Sequence, residues 1–267
     1  MGSGLTIEDI ILSNDQRGIS ELRDLVPADY CTRAAELILA NTGTILITTG
    51  FYILSAGAPE TDGPPGAIAI GVGLERLGYK VKYVADEHSS NLLRPYVAES
   101  TDVIDFPITT LPKSVQYAEE ILNTENPSVL ISIERCAAAA DGLYRNMRDL
   151  DISDRTAKVD LLFDMHSKTI GIGDGGNEIG LGNVIDGVAK SETLVSYPTV
   201  SKVTELIIAS VSNWGGYGLL AALSISTDKN VLPTIEEDTE RISKMVDLGA
   251  VDGFSGEEIY KVDGFDL

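Results

Sequence analysis

Apolar residues recur along the chain with two alternating spacings. Short β-branched runs predict strands over residues 44–49, 80–85, 103–106, 128–133, 169–172 and 193–196. Apolar residues three or four positions apart predict helices over residues 67–77, 91–98, 114–122, 158–165, 202–223 and 235–248, after further helices in residues 1–42. Because strands alternate with helices, we expect a single α/β domain over residues 1–267, a three-layer αβα fold with a mostly parallel sheet, on which the helices of residues 1–42 pack.

Three polar, glycine-bearing segments follow predicted strands at their carboxyl ends. They cover residues 60–66, 134–148 and 171–178. In open α/β sheets, ligands bind outside the carboxyl ends of the strands. The pattern therefore predicts that these three segments form one site.

The composition narrows the chemistry of that site. The 267 residues include 41 Asp and Glu against 20 Lys and Arg, which gives a net charge of −21. This charge disfavours nucleic acids and anionic membranes as partners. The chain has two Cys, without CxxC spacing, and two His, which excludes a disulfide framework, a thiolate zinc site and a His-rich metal site. Without an apolar run of about 18 residues or a signal-peptide pattern, we expect a cytoplasmic protein.

The first segment places two carboxylates two residues apart. Glu60 and Asp62 precede Pro64 and Pro65, which restrict the loop and begin a helix. Either acid alone could also be an ordinary N-terminal cap, because a carboxylate interacts favourably with the dipole at the start of a helix. Both together predict positioned functional carboxylates.

The segment of residues 171–178 matches the GxGxxG spacing of dinucleotide-binding loops. Asp174 would lie inside the phosphate cradle, and no acidic residue ends the next strand, so we expect no nucleotide cofactor. Asp174 and Glu178 instead offer carboxylates to a hard cation. The alternative is a structural turn with solvated acids.

The middle segment carries the most cationic patch of the chain. Glu134 follows a strand beside Arg135, which is compatible with a structural ion pair. Arg145 and Arg148 are suited to hold a carboxylate or a phosphate. Asn213 lies in a glycine-rich stretch that forms either a backbone-lined pocket wall or a close helix contact.

Several of these stretches together resemble the D-glutamate cyclase C-terminal-like family, long a domain of unknown function. The resemblance lies in ETDGPPGA (residues 60–67), ER (134–135), DGLYRNMR (141–148), GIGDGGNEIG (171–180), VSNWGGY (211–217) and VDG (262–264). It runs from about residue 30 to the end of the chain. It implies a Rossmann-like αβα fold and the interconversion of D-glutamate and 5-oxo-D-proline, a lactam closure with loss of water.

This chemistry assigns roles to the candidate residues. Closing the ring requires a base for the amine and polarisation of the γ-carboxylate, which a carboxylate-bound Mg²⁺ or Mn²⁺ supplies. The predicted ligands of one or two such ions are Glu60, Asp62, Glu134, Asp174 and Glu178. The predicted catalytic residues are Glu60, Asp62, Asp174 and Glu178. The predicted contacts to a small anionic substrate are Arg135, Arg145, Arg148, Asn177 and Asn213.

Two other functions and the question of partners stay open at this stage. The same residues suit metal-dependent hydrolysis of a phosphate ester, and they also suit a non-catalytic ligand- or metal-binding domain. The resemblance implies that eukaryotic members carry a further N-terminal domain similar to a hydro-lyase. We expect this sequence to be without that domain, so a separate hydro-lyase chain is a candidate partner, as is a second copy of this chain.

Overall fold

The computed structural model describes residues 4–99 and 102–267, and its centre is a six-stranded parallel sheet. The strands are β1 (Thr44–Thr49), β2 (Lys80–Ala85), β3 (Val103–Asp105), β4 (Val129–Ile133), β5 (Thr169–Gly173) and β6 (Glu205–Ile208). Their order across the sheet is β3-β2-β1-β4-β5-β6, with every neighbouring pair parallel. This is the strand order of the Rossmann fold, in which the winding direction reverses between β1 and β4.

Helices cover both faces of the sheet, which confirms the predicted three-layer αβα architecture. They are α1 (Ile7–Ile11), α2 (Tyr30–Leu39), α3 (Pro64–Arg76), α4 (Ser90–Leu93), α5 (Leu111–Glu125), α6 (Asp160–Asp164), α7 (Ile185–Val188), α8 (Ser212–Thr227) and α9 (Ile235–Asp247). Ile45 and Ile47 of β1 pack in the core with α2, α3 and α8, whereas Leu46 packs with α5 and α6. Since successive strand side chains point to opposite faces, β1 is buried on both sides.

Two predicted elements are wrong. Residues 202–223 do not form one helix, because Glu205–Ile208 pairs with β5 as an edge strand and the helix begins only at Ser212. Residues 193–196 form a loop, whose Val195 N–H donates to the Gly175 carbonyl at 3.4 Å instead of joining the sheet. Sheet pairing and loop packing therefore override the local apolar pattern at both places.

The glycines at the start of α8 serve close packing. A Cβ atom at Gly215 would lie 2.5 Å from Ile172 Cγ2, and one at Gly216 would lie 3.1 Å from Ile133 Cδ1. The absence of side chains brings the N-terminus of α8 next to β4 and β5. The packing therefore supports the interpretation of this glycine-rich stretch as a close helix contact.

The two ends of the chain also reach the carboxyl edge of the sheet. The segment after α1 brings Arg17 to Asp174, and the short antiparallel pair of Lys261–Val262 with Phe265–Asp266 brings Asp263 to the same place. A second short pair, Tyr52–Ile53 with Ala58–Pro59, follows β1. Among the described residues, no helix has both the length and the hydropathy that crossing a membrane requires.

Candidate functional site

Three buried carboxylates meet where the sheet changes its winding direction. Asp62 lies in the loop after β1, Glu134 directly after β4 and Asp174 directly after β5. Each offers one oxygen, and these three oxygens lie within 4.8 Å of one another. The exposed fraction is 5% for Glu134 and lower for the two aspartates. A set of carboxylate oxygens at this spacing is suited to hold a hard divalent cation.

The N-terminus of α8 holds Asp62 in place. The backbone N–H groups of Ser212 and Asn213 each donate to its carboxylate at 2.8 Å. The Asn213 side chain in turn accepts hydrogen bonds from the N–H groups of Gly63 and Gly66 at 3.0 and 2.8 Å. Asp62 thus caps a helix distant in sequence from its own loop, and Asn213 positions the loop that carries Asp62.

Glu134 has a backbone conformation that residues other than glycine seldom adopt. Its φ is +45°, in the left-handed region, at the point where β4 ends. The Ser212 hydroxyl donates to Glu134 Oε2 at 2.5 Å. A Cβ atom at Gly63 would lie 2.6 Å from Glu134 Cβ, so the neighbouring loop needs glycine there. Such strain concentrates at functional sites, where the surrounding structure maintains it.

Asp174 pairs with an arginine that the sequence pattern did not reveal. Arg17 Nη1 forms an ion pair with Asp174 Oδ1, and Arg17 Nη2 lies 2.8 Å from Asp263 Oδ1. The other oxygen, Asp174 Oδ2, is buried and accepts no hydrogen bond from the residues that the structure describes. An unpartnered buried carboxylate oxygen is costly, and a cation satisfies it.

The two remaining predicted ligands lie outside the triad. Glu178 accepts hydrogen bonds from the backbone N–H groups of Asp174, Gly175 and Gly176 at 3.3, 2.8 and 2.8 Å, so it shapes the turn that presents Asp174. Glu60 lies beside Asp263: a Cβ atom at Gly253 would be 3.0 Å from Asp263 Oδ1 and would clash with Glu60 Oε2. Of the five acids predicted to hold one or two divalent ions, the structure brings three within 4.8 Å of one another.

Burial and mutual repulsion raise the carboxyl pKa values at this site. Desolvation is the largest cause for Glu60, Glu134 and Asp174, and it raises each pKa well above its ordinary value. Desolvation and the nearby Asp263 raise the pKa of Asp62 to about 7, against the stabilising backbone N–H donors. Desolvation lowers the pKa of Arg17, but Asp174 and Asp263 outweigh it and raise that pKa further above its usual range. The cluster thus favours bound protons or bound cations.

Two of the predicted substrate-binding residues, Arg135 and Arg145, are already paired with other groups of the protein. Arg135 is 1% exposed, and its guanidinium donates to Asp86 at 2.6 Å and to the carbonyls of Gly50 and Ala157. Arg145 pairs with Asp141 at 2.6 Å and stacks on the Tyr197 ring.

Arg148 and Asn177 are the predicted substrate contacts with spare polar atoms. In the described part of the chain, Arg148 forms no ion pair, and it lines the cavity that Glu60 and Glu134 also line. Asn177 donates to the Arg145 carbonyl at 2.8 Å, while its buried Oδ1 has no hydrogen-bond partner among the described residues. Arg148 is therefore the predicted anion ligand that faces the cavity.

Glu134 of the triad lines a cavity of about 360 Å³. Its polar lining includes Glu60, Glu134, Arg17 and Arg148. Its apolar lining comprises Phe51, Tyr52, Ile53, Leu54, Met147, Leu150 and Phe254. A small concave site with a few convergent polar groups is typical of small-molecule binding.

Fold and site define a Rossmann-like α/β protein with a buried acidic centre next to a small cavity. The chain matches the family described as D-glutamate cyclase-like, C-terminal, over residues 7–267, and it belongs to that family. This confirms the resemblance seen in the sequence.

Two individual proteins are similar to this chain. Mitochondrial D-glutamate cyclase of Homo sapiens is 35% identical over 210 residues, which cover 72% of this chain and 34% of the human protein. This chain thus spans about a third of the human protein's length. Among solved structures, an exopolyphosphatase-related protein from Bacteroides fragilis matches with a TM-score of 0.42 and 11% identity, over 86% of this chain and 52% of that one.

Proposed function

We propose that this protein interconverts D-glutamate and 5-oxo-D-proline at the acidic end of the cavity, as a hydro-lyase of the D-glutamate cyclase type. The observation that carries the proposal is the triad of Asp62, Glu134 and Asp174, whose oxygens lie within 4.8 Å of one another in a chain of this family. The human relative, whose name states the activity, supports the choice of reaction.

The donor set fits Mg²⁺ or Mn²⁺. The triad offers only carboxylate oxygens. Hard cations such as Mg²⁺ and Mn²⁺ prefer oxygen ligands, whereas zinc sites typically include His or Cys. Asp174 Oδ2 is the buried oxygen without a partner that such an ion would satisfy. When bound, the ion supplies Lewis-acid polarisation of the substrate's γ-carboxylate.

The protein's own residues supply proton transfer and orientation. In the forward direction the amine nitrogen bonds to the γ-carboxyl carbon, and one carboxyl oxygen leaves as water. We assign Glu60 as the general base, because it lines the cavity and lies outside the triad. Arg148, which lines the cavity and is free of an ion pair among the described residues, binds the α-carboxylate.

The test is an assay of the chain with D-glutamate and with 5-oxo-D-proline after removal of metal by EDTA. We expect turnover of the D-enantiomers that returns when Mn²⁺ or Mg²⁺ is added, and little turnover of L-glutamate. A panel of phosphate esters, assayed in parallel, tests the alternative function of a metal-dependent phosphate-ester hydrolase. Hydrolysis of esters without cyclisation, or cyclisation that EDTA leaves unchanged, would contradict the proposal.

A further inference from the structure

A buried arginine lies inside the acidic centre. Arg17 contacts Asp174, a member of the triad, and Asp263, which is outside it. The side chain of Arg17 is 14% exposed, and those of Asp174 and Asp263 are 0% and 3% exposed. The guanidinium is therefore largely removed from water and is part of the site rather than of the surface.

The charges around it are strongly unequal. Besides Glu178, whose carboxylate accepts hydrogen bonds from three backbone N–H groups, five buried carboxylates belong to this cluster: Glu60, Asp62, Glu134, Asp174 and Asp263. Desolvation, and after it the repulsion from Asp263 and Asp62, raises the pKa of Glu60. One guanidinium and one divalent ion together carry three positive charges, which offsets most of this negative charge.

The arrangement has two cation positions that share one acid. Asp174 contributes to the triad with Asp62 and Glu134, and it also pairs with Arg17. Beyond Arg17 lie Asp263 and Glu60, whose oxygens border the same glycine, Gly253. Two-metal sites hold their ions about 3.5–4 Å apart between carboxylates in this manner. We propose that the Arg17 guanidinium takes the place of a second divalent ion between Asp174 and Asp263, and so limits the site to one metal ion.

The backbone around Arg17 is fixed for this purpose. Asp15 accepts hydrogen bonds from the N–H groups of Arg17, Gly18 and Ser20 at 3.0, 2.9 and 2.8 Å. Gly18 has φ +93°, and a side chain there would clash with Thr193. The Phe254 ring lies 5.9 Å from the guanidinium carbon on the cavity side. Because this loop is held in place, the Arg17 guanidinium keeps its position without a bound metal ion.

The inference rests on the metal ion of the proposed function, and stoichiometry tests it without an activity assay. Free Mn²⁺ is titrated against the 267-residue chain and measured by electron paramagnetic resonance. The wild type and Arg17→Lys, which keeps the charge, are expected to bind about one ion per chain. Arg17→Ala is expected to bind about two, because the position between Asp174 and Asp263 becomes vacant.

Controls separate the inference from loss of folding and from failure of the proposed function. Arg33→Ala removes an arginine whose ion pair with Glu205 lies on the surface, and it is expected to bind one ion like the wild type. If Arg17→Ala does not fold, Arg17→Gln keeps the size of the side chain without its charge. One ion in both the wild type and the neutral variants, or two ions in the wild type, would overturn the inference and leave the metal site standing. No Mn²⁺ binding to any variant would overturn both.

Discussion

Two arginines, Arg135 and Arg17, each have a carboxylate partner that directly follows a strand of the central sheet, and their surroundings differ in charge balance. Arg135 has one carboxylate partner, Asp86, and two backbone carbonyls, so that pair is neutral. Arg17 has two carboxylate partners, and three more acids, Glu60, Asp62 and Glu134, belong to the same cluster. Both guanidinium groups are largely removed from water, with 2% of the Arg135 side chain and 14% of the Arg17 side chain exposed, so burial alone does not explain the difference. Charge balance does separate them: the pair of Arg135 with Asp86 is balanced in charge, whereas the acidic cluster around Arg17 requires a further cation.

The largest expected effect comes from breaking the neutral pair. Asp86→Asn leaves the Arg135 guanidinium buried without its counter-charge, so we expect the free energy of unfolding to fall by about 3–5 kcal/mol. Urea unfolding measures this. Glu205→Gln, which breaks a surface pair with Arg33, is the matched control and should cost at most about 1 kcal/mol. If both variants lose equally little, Arg135 and Asp86 are not the structural pair described here.

The acidic cluster should respond to mutation in the opposite way. Asp174→Asn removes a ligand charge shared by the triad and Arg17, so we expect Mn²⁺ to bind about 100-fold more weakly or worse. Removing a repelling carboxylate should leave stability unchanged or improve it. Calorimetric titration and thermal unfolding measure the two effects. Asp141→Asn, which breaks the exposed pair with Arg145, should bind Mn²⁺ normally. Equal Mn²⁺ affinity in Asp174→Asn and the wild type would count against the metal site.

The two regions should also differ in their dependence on pH. The acids of the cluster have raised pKa values, about 7 for Asp62, so the metal-free folded state holds protons that the unfolded chain releases above about pH 4. Without metal, stability should therefore fall as pH rises from about 4 to 7. Mn²⁺ displaces these protons, so its stabilising effect should grow over the same range.

Thermal unfolding with and without Mn²⁺ at about pH 5 and pH 8 tests this difference. The shift in Tm that Mn²⁺ produces should be larger at the higher pH, and Asp62→Asn should reduce the dependence. A shift in Tm that does not change with pH would show that the carboxylates of the cluster are already ionised in the metal-free protein.

The smallest expected effect concerns an arginine outside both clusters. Arg148→Ala removes the proposed ligand of the α-carboxylate, so we expect KM for D-glutamate to rise about tenfold with little change in kcat. Arg145→Ala is the matched control, because Asp141 and Tyr197 already occupy that guanidinium. Steady-state kinetics measures both. If Arg145→Ala raises KM and Arg148→Ala does not, their assignments are reversed.

The sequence predicted the triad because its members depend on local rules. Asp62, Glu134 and Asp174 each follow a strand, and the carboxyl ends of parallel strands share one edge of the sheet. Identifying the strand ends was therefore enough to predict that these residues meet. Glu178 has the same kind of position, but three backbone N–H groups of its own turn bind its carboxylate. Residue spacing does not show whether a carboxylate will bind the backbone N–H groups of its own turn or face the site.

The remaining site residues depend on contacts between distant segments. Arg17 comes from an irregular segment before α2, and no periodicity marks it as a neighbour of Asp174. Strand β6 was missed for a related reason. Its four residues, Glu205–Ile208, precede the apolar helix α8, and only pairing with β5 distinguishes them from that helix.

The ion pair of Arg17 with Asp263 joins a segment near the start of the chain to one near its end. During synthesis Asp263 leaves the ribosome after Arg17 and the triad residues, because it lies later in the chain, and a domain generally folds as a unit. The last carboxylate thus arrives when the rest of the fold is available to hold it in place.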